Sequence, residues 1–156
     1  MLTDANIWID LLHGQLAGRV FELGEPLIAP DFVLEELQDD QEELLRLGLE
    51  VVTLDPDQTE RMVDLVATYE KCSTPDLASL LLAIDRGLIL LTGDGALRAA
   101  ADELGVEVHG TLWVLDRLVE RELIGRAEAC VGLNRIVAAG SFLPVEEVEA
   151  RLGTWC

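Results

Sequence analysis

Short apolar runs, two of them ending at an aspartate, alternate along this chain with longer segments of helical period, and that alternation constrains the fold more than any other feature. The runs are Leu2 to Thr3, Pro26 to Ala29, Leu49 to Leu54, Leu88 to Leu91 and Val106 to Val108. Between them stand segments such as DQTERMVDLVATYEK and DLASLLLAIDRG, whose apolar residues recur at helical spacing. Strands this short and this apolar are covered on both faces, as in a parallel sheet flanked by helices. Gly48, Gly87 and Gly105 each close a helical segment just before the next run. The pattern predicts an α/β domain with three α/β/α layers and a mostly parallel central sheet of about five strands. From about residue 111 the chain reads as helical, and Pro144 opens a last helix, PVEEVEARL. Residues 1–156 read as one unit, without repeats or a linker rich in Gly, Pro or Ser.

Composition narrows the class. Half of the 156 residues are apolar, which excludes a disordered chain. No apolar stretch reaches the roughly 20 residues that cross a bilayer, so no membrane association is expected. The start of the chain lacks the basic and long apolar regions of a secretory signal, which predicts a cytoplasmic protein. Cys72, Cys130 and Cys156 are odd in number and far apart, and this fits a reducing compartment better than a disulfide framework or a zinc site. The formal net charge is −19. Such a surface repels polyanions, so any nucleic-acid partner has to be argued from local features.

The local feature is a set of acids at strand ends. Asp4 follows the first run and Asp94 the fourth, where open α/β sheets collect ligands. Asp76, in STPDLASLLLAI, opens the helix that leads to the strand ending at Thr92. In the acidic stretch EELQDDQEELLR most charges read as a solvated helix face. If Val33, Leu34, Leu37 and Leu44 form its buried stripe, Glu36 lies at the stripe's edge and Glu35 nearly opposite. Taken singly, Asp4 and Asp94 are good helix N-caps, and Ser73-x-x-Asp76 is a capping box with Pro75 in the first turn. Taken together, about four carboxylates on one rim repel one another unless a cation holds them. With no His or Cys at matching positions, oxygen ligands point to Mg²⁺ or Mn²⁺. Metal-assisted phosphodiester hydrolysis is the chemistry suited to such a site.

These residues resemble the PIN domains, in particular bacterial and archaeal members related to VapC toxins. LTDANIWIDLL is similar to the family's opening motif through Asp4 and Asn6, and APDFVLEEL to its second motif through Glu36. PDLASLLLAIDRGLILLTGDGALRAAADELGVEV resembles the block holding Asp76 and Asp94, with Thr92 as the accompanying hydroxyl. GTLWVLDRLVERELI and AAGSFLPVEEVEARL resemble the ending of one subgroup. The resemblance implies a PIN fold, a Mg²⁺ or Mn²⁺ site built from Asp4, Glu36, Asp76 and Asp94, and an endoribonuclease acting on single-stranded RNA. It further implies the toxin role of a toxin–antitoxin pair, with an antitoxin protein as partner and a homodimer as a possible state. Asn6 and Thr92 would orient the carboxylates or position water.

Arg98, one turn after Asp94, is the nearest candidate phosphate contact; its alternative is a solvated helix residue. His13 and His109 have no partner motif and receive no role. Trp8, Trp113 and Trp155 read as core rather than base-stacking residues, and Thr111 as a helix N-cap. A second reading from another class is a PIN-like protein-interaction module with little or no catalysis, which the negative surface favours.

Overall fold

The computed structural model describes residues 1–156. Five short strands form one sheet: β1 (Leu2–Thr3), β2 (Ile28–Pro30), β3 (Glu50–Val52), β4 (Leu90–Leu91) and β5 (Val108–His109). All neighbours are parallel and the order is β3-β2-β1-β4-β5. The chain winds outward from β1 to β3, then crosses back to place β4 on the other side of β1. The gap between β1 and β4 is therefore the topological switch point, where the crossover loops part and leave room for a ligand.

Successive strand residues serve opposite faces, and the two cores record it. Leu2, Ile28 and Leu90 pack with α5 (Pro56–Thr68), α6 (Thr74–Arg86) and α7 (Gly95–Glu103). Met1, Ala29 and Leu91 pack on the other face. That face is covered by α1 (Ala5–His13), α2 (Ala17–Phe21), α3 (Asp31–Leu37) and α4 (Gln41–Leu47). The later helices α8 (Thr111–Glu120), α9 (Arg126–Ala138) and α10 (Val145–Trp155) join them. The predicted strands and their helical separators thus form the expected three layers.

Trp8 is fully buried, stacks on Phe21 at 5.4 Å between ring centres, and donates its indole N–H to the Thr3 hydroxyl at 2.8 Å. Trp155 is also core, whereas Trp113 is only partly buried. Helix α9 packs on the connection between α1 and α2 so closely that a Cβ on Gly132 would sit 2.4 Å from Leu16 Cδ1. Any larger residue at 132 would require the buried Leu16 side chain to shift.

Three sequence expectations need correction. The stretch EELQDDQEELLR is not one helix: α3 ends at Leu37, Gln38 adopts φ 44°, and α4 starts at Gln41 after a 3-10 turn. Leu44 therefore belongs to a different helix from Val33 and Leu37, although all three are buried. Thr111 is not an N-cap. Gly110 precedes α8 in that position, and the buried Thr111 hydroxyl donates to Asp10 Oδ2 at 2.6 Å. Finally, Cys130 and Cys156 form a disulfide with their Cα atoms 5.6 Å apart, leaving Cys72 as the free thiol. The antiparallel pairing of α9 with α10 brings together two cysteines separated by 26 positions, so the cysteines no longer argue for a reducing compartment. No helix is long and apolar enough to cross a membrane.

The disulfide makes a prediction of its own. Closing a loop of that length stabilises the fold by about 3 kcal/mol through the unfolded chain's entropy. Dithiothreitol should lower the melting temperature of the parent protein by several degrees and leave that of Cys156→Ser unchanged. Equal melting curves for oxidised and reduced parent would contradict it.

Candidate active site

The site is assembled at the switch point by backbone pairing. Asp4 N donates to Leu91 O at 3.1 Å, which ties the end of β1 to the end of β4. Each one residue past its strand, Asp4 and Thr92 face each other in the interior; Asp4 is 1 % exposed and Thr92 fully buried. The Thr92 hydroxyl donates to Asp4 Oδ2 and accepts from Asp94 N at 3.1 Å. One hydroxyl thus joins the two acids that end the central strands.

Capping a helix and binding an ion fall to different oxygens of Asp76 and Asp94. Asp4 Oδ1 accepts from Ile7 N at 3.0 Å, and Asp94 Oδ1 accepts from Leu97 N at 2.8 Å. Asp76 Oδ2 accepts from Ser73 N at 3.1 Å while the Ser73 hydroxyl accepts from Asp76 N, completing the capping box. Each cap engages one carboxylate oxygen. Asp76 Oδ1, Asp94 Oδ2 and both oxygens of Glu36 make no hydrogen bond within the protein. The helix ends thus fix Asp76 and Asp94 in place and leave one oxygen of each free, whereas Asp4 has one oxygen held by the α1 cap and the other by Thr92.

Their electrostatics show that the four acids share one region. Burial pushes Asp4 up to about 7; the Thr92 and Ile7 hydrogen bonds pull against it, and Asp76 and Asp94 add to the rise. Glu36 sits at the exposed rim, and partial desolvation followed by the charge of Asp76 raises it as well. Cys72, which the sequence gives no role, lies at the flank; burial and the charges of Asp76 and Asp94 raise its thiol. Burial first, with mutual repulsion added to it, disfavours charge on these acids, and a cation bound among them would offset both.

In the present side-chain arrangement no three His, Cys, Asp or Glu groups converge tightly enough to hold one ion. The donor chemistry still fits a hard divalent cation, because every available ligand is a carboxylate oxygen anchored to a helix end or helix edge.

A family model described as PIN domain matches residues 1–155. The chain belongs to the PIN domain family. PIN domains are generally nucleases and usually bind divalent metals. No curated protein and no solved structure gives a significant match to the chain.

The remaining candidates of this PIN domain fall in distinct places. Asn6 is exposed and bonds none of the acids; it lines a cleft of about 440 Å³ together with Asp94. Arg98 is half-buried and donates from Nη1 to Thr92 O at 3.2 Å, so it braces the strand end as well as bordering a second cavity. Asp10, which the sequence reading leaves out, and His13, to which it gives no role, line the first cleft with Asn6 on one face of α1. Their signal is the helical spacing Asn6, Asp10, His13, legible only once Asn6 is known to face the cleft.

Glu35 and Glu36 are exposed neighbours on α3, and the charge of Asp76 reaches Glu36. Glu36→Gln should lower RNA cleavage about tenfold or more, and Glu35→Gln less than about threefold. Single-turnover rates of the two variants measure this directly, and the reverse ranking would place the wrong face of α3 at the site.

Proposed function

We propose that this PIN domain is a Mg²⁺- or Mn²⁺-dependent endoribonuclease, the toxin component of a toxin–antitoxin module, that hydrolyses phosphodiester bonds in single-stranded RNA. The observation that carries this reading is the Asp4–Thr92–Asp94 linkage at the switch point, with Asp76 and Glu36 in electrostatic reach. Asp4, Glu36, Asp76 and Asp94 would hold the ion. When bound it polarises the phosphoryl oxygens and lowers the pKa of the attacking water.

The protein's own residues do the positioning. Thr92 holds the Asp4 carboxylate by one oxygen, and the first turn of α1 holds it by the other, so its orientation survives the loss of its proton. The N-terminus of α7 does the same for Asp94. Asn6 stands at the cleft wall with its amide uncommitted, able to orient substrate or water. Arg98 supplies positive charge near Asp94 on a chain that otherwise repels RNA. An antitoxin would cover the acidic rim or an apolar helical surface, and self-association into a homodimer belongs to the same proposal.

A second reading has its own support. The net charge of −19 and the open arrangement of the acids favour a protein-interaction module of little or no activity. Incubating a structured RNA of mixed sequence with the purified protein in Mg²⁺, Mn²⁺ or EDTA separates the two. The nuclease reading expects cutting with either metal and none in EDTA; cutting of equal rate in EDTA would overturn it.

A further inference from the structure

Two cavities of about 440 Å³ each lie on either side of Gly93, and Phe142 stands in the wall of both. The first contains Asp94. The second is bordered by Arg98, His109, Trp113 and Arg151. Phe142 belongs to the turn between α9 and α10, and its side chain is 100 % exposed. The hairpin behind it is fastened by the Cys130–Cys156 disulfide at its far end. Arg151 reinforces it by gripping both oxygens of Asp116 on α8, at 2.9 and 2.6 Å. A rigid support therefore carries a free aromatic face to the edge of the candidate active site.

Arg98 is set apart from most of the cations of this acidic chain. Arg19, Arg61, Arg86, Arg117, Arg121 and Arg151 are each paired with a carboxylate. Arg98 is not; its single hydrogen bond goes to Thr92 O, and its other N–H groups have no protein partner. A Cβ on Gly110 would approach Arg98 Nη1 to 3.0 Å, so the glycine leaves space for the guanidinium. Trp113 is already engaged: the His109 ring stacks on it at 4.2 Å, and the Arg117 guanidinium lies 5.3 Å over its ring. It serves as a wall. Phe142 is the aromatic left able to receive a base.

We propose that the cavity between Arg98, Trp113 and Phe142 seats the nucleotide beside the scissile phosphate, with Phe142 stacked on its base and Arg98 on its phosphate. The inference rests on the ribonuclease reading above. Stacking on an aromatic is tolerant of sequence, and an unpaired guanidinium suits a phosphodiester oxygen. A single-stranded segment satisfies both, because its bases are free to leave one another and lie on a side chain.

The test is fluorescence anisotropy of a labelled single-stranded RNA hexamer, in Ca²⁺ and in EDTA, with the parent protein and its variants. Phe142→Ala should weaken binding about fivefold or more, and Phe142→Tyr should restore it. With a hexamer carrying abasic nucleotides the effect of Phe142→Ala should vanish. Arg98→Gln should weaken binding and reduce the slope of log affinity against log salt by about 1. Affinities of Phe142→Ala and Arg98→Gln equal to the parent's would overturn the subsite, make Phe142 a protein-contact residue and leave the nuclease reading standing. A parent protein that neither binds nor cuts RNA in any metal would overturn both.

Discussion

Asp94→Asn is expected to lower kcat/KM for RNA cleavage at least about 100-fold while leaving the fold intact. The asparagine carbonyl can still accept from Leu97 N, so the α7 cap survives, and the Thr92 hydroxyl still accepts from the backbone N–H at position 94. What disappears is a negative charge whose second oxygen is free for an ion. A purely structural Asp94 would behave the other way, with stability falling and activity following it. Circular dichroism and single-turnover cleavage on the same preparation separate the two, and near-parent activity in a well-folded Asp94→Asn would remove Asp94 from the site.

Asp4 predicts an unusual pH dependence for the metal-free protein. Its carboxyl has a folded pKa of about 7 against an ordinary 3.8, chiefly because it is buried. Across that interval the native state binds the proton and the unfolded state does not. The stability this group contributes is therefore complete below about pH 4 and is lost as pH rises through about 7. Roughly three pKa units correspond to about 4 kcal/mol, or on the order of 10 °C in melting temperature for a domain of this size. Asp85, which the hydrogen bond from Arg61 holds below its ordinary value, works at lower pH, whereas the raised Glu36 adds to the Asp4 slope in the same direction and the Met1 ammonium, lowered by burial, opposes it near pH 8. In EDTA the parent should melt progressively lower from pH 5 to pH 8. Asp4→Asn should flatten that slope and melt higher than the parent at pH 8. A variant that keeps the parent's slope would show that the strain in the site lies elsewhere.

The fold is legible because it rests on local patterns. Each strand of the sheet overlaps a run of apolar residues, and the positive φ values of Gly48 and Gly87 end α4 and α6 where the sequence places stops. Asp4, Asp76 and Asp94 are legible for a similar reason, since each opens a helix at a recognisable boundary. Glu36 is reached by a phase argument that used Leu44 across a helix break, and Gln38, a non-glycine residue at φ 44°, gives no local warning of that break. The disulfide, the Thr111–Asp10 contact and the Phe142 turn all depend on how α9 and α10 pack against elements far away in sequence. Periodicity carries no information about such distant pairings.

Binding of Mn²⁺ measured by isothermal titration calorimetry at pH 7.5, with the parent beside Asp4→Asn and Asp94→Asn, reaches the central claim without needing to know the RNA target. The account predicts saturable binding to the parent, competed by Mg²⁺ and weakened at least about tenfold in each variant. Equal affinity in all three proteins would mean that these acids cap helices and hold no ion, and the case for a metal-dependent nuclease built on them would be lost.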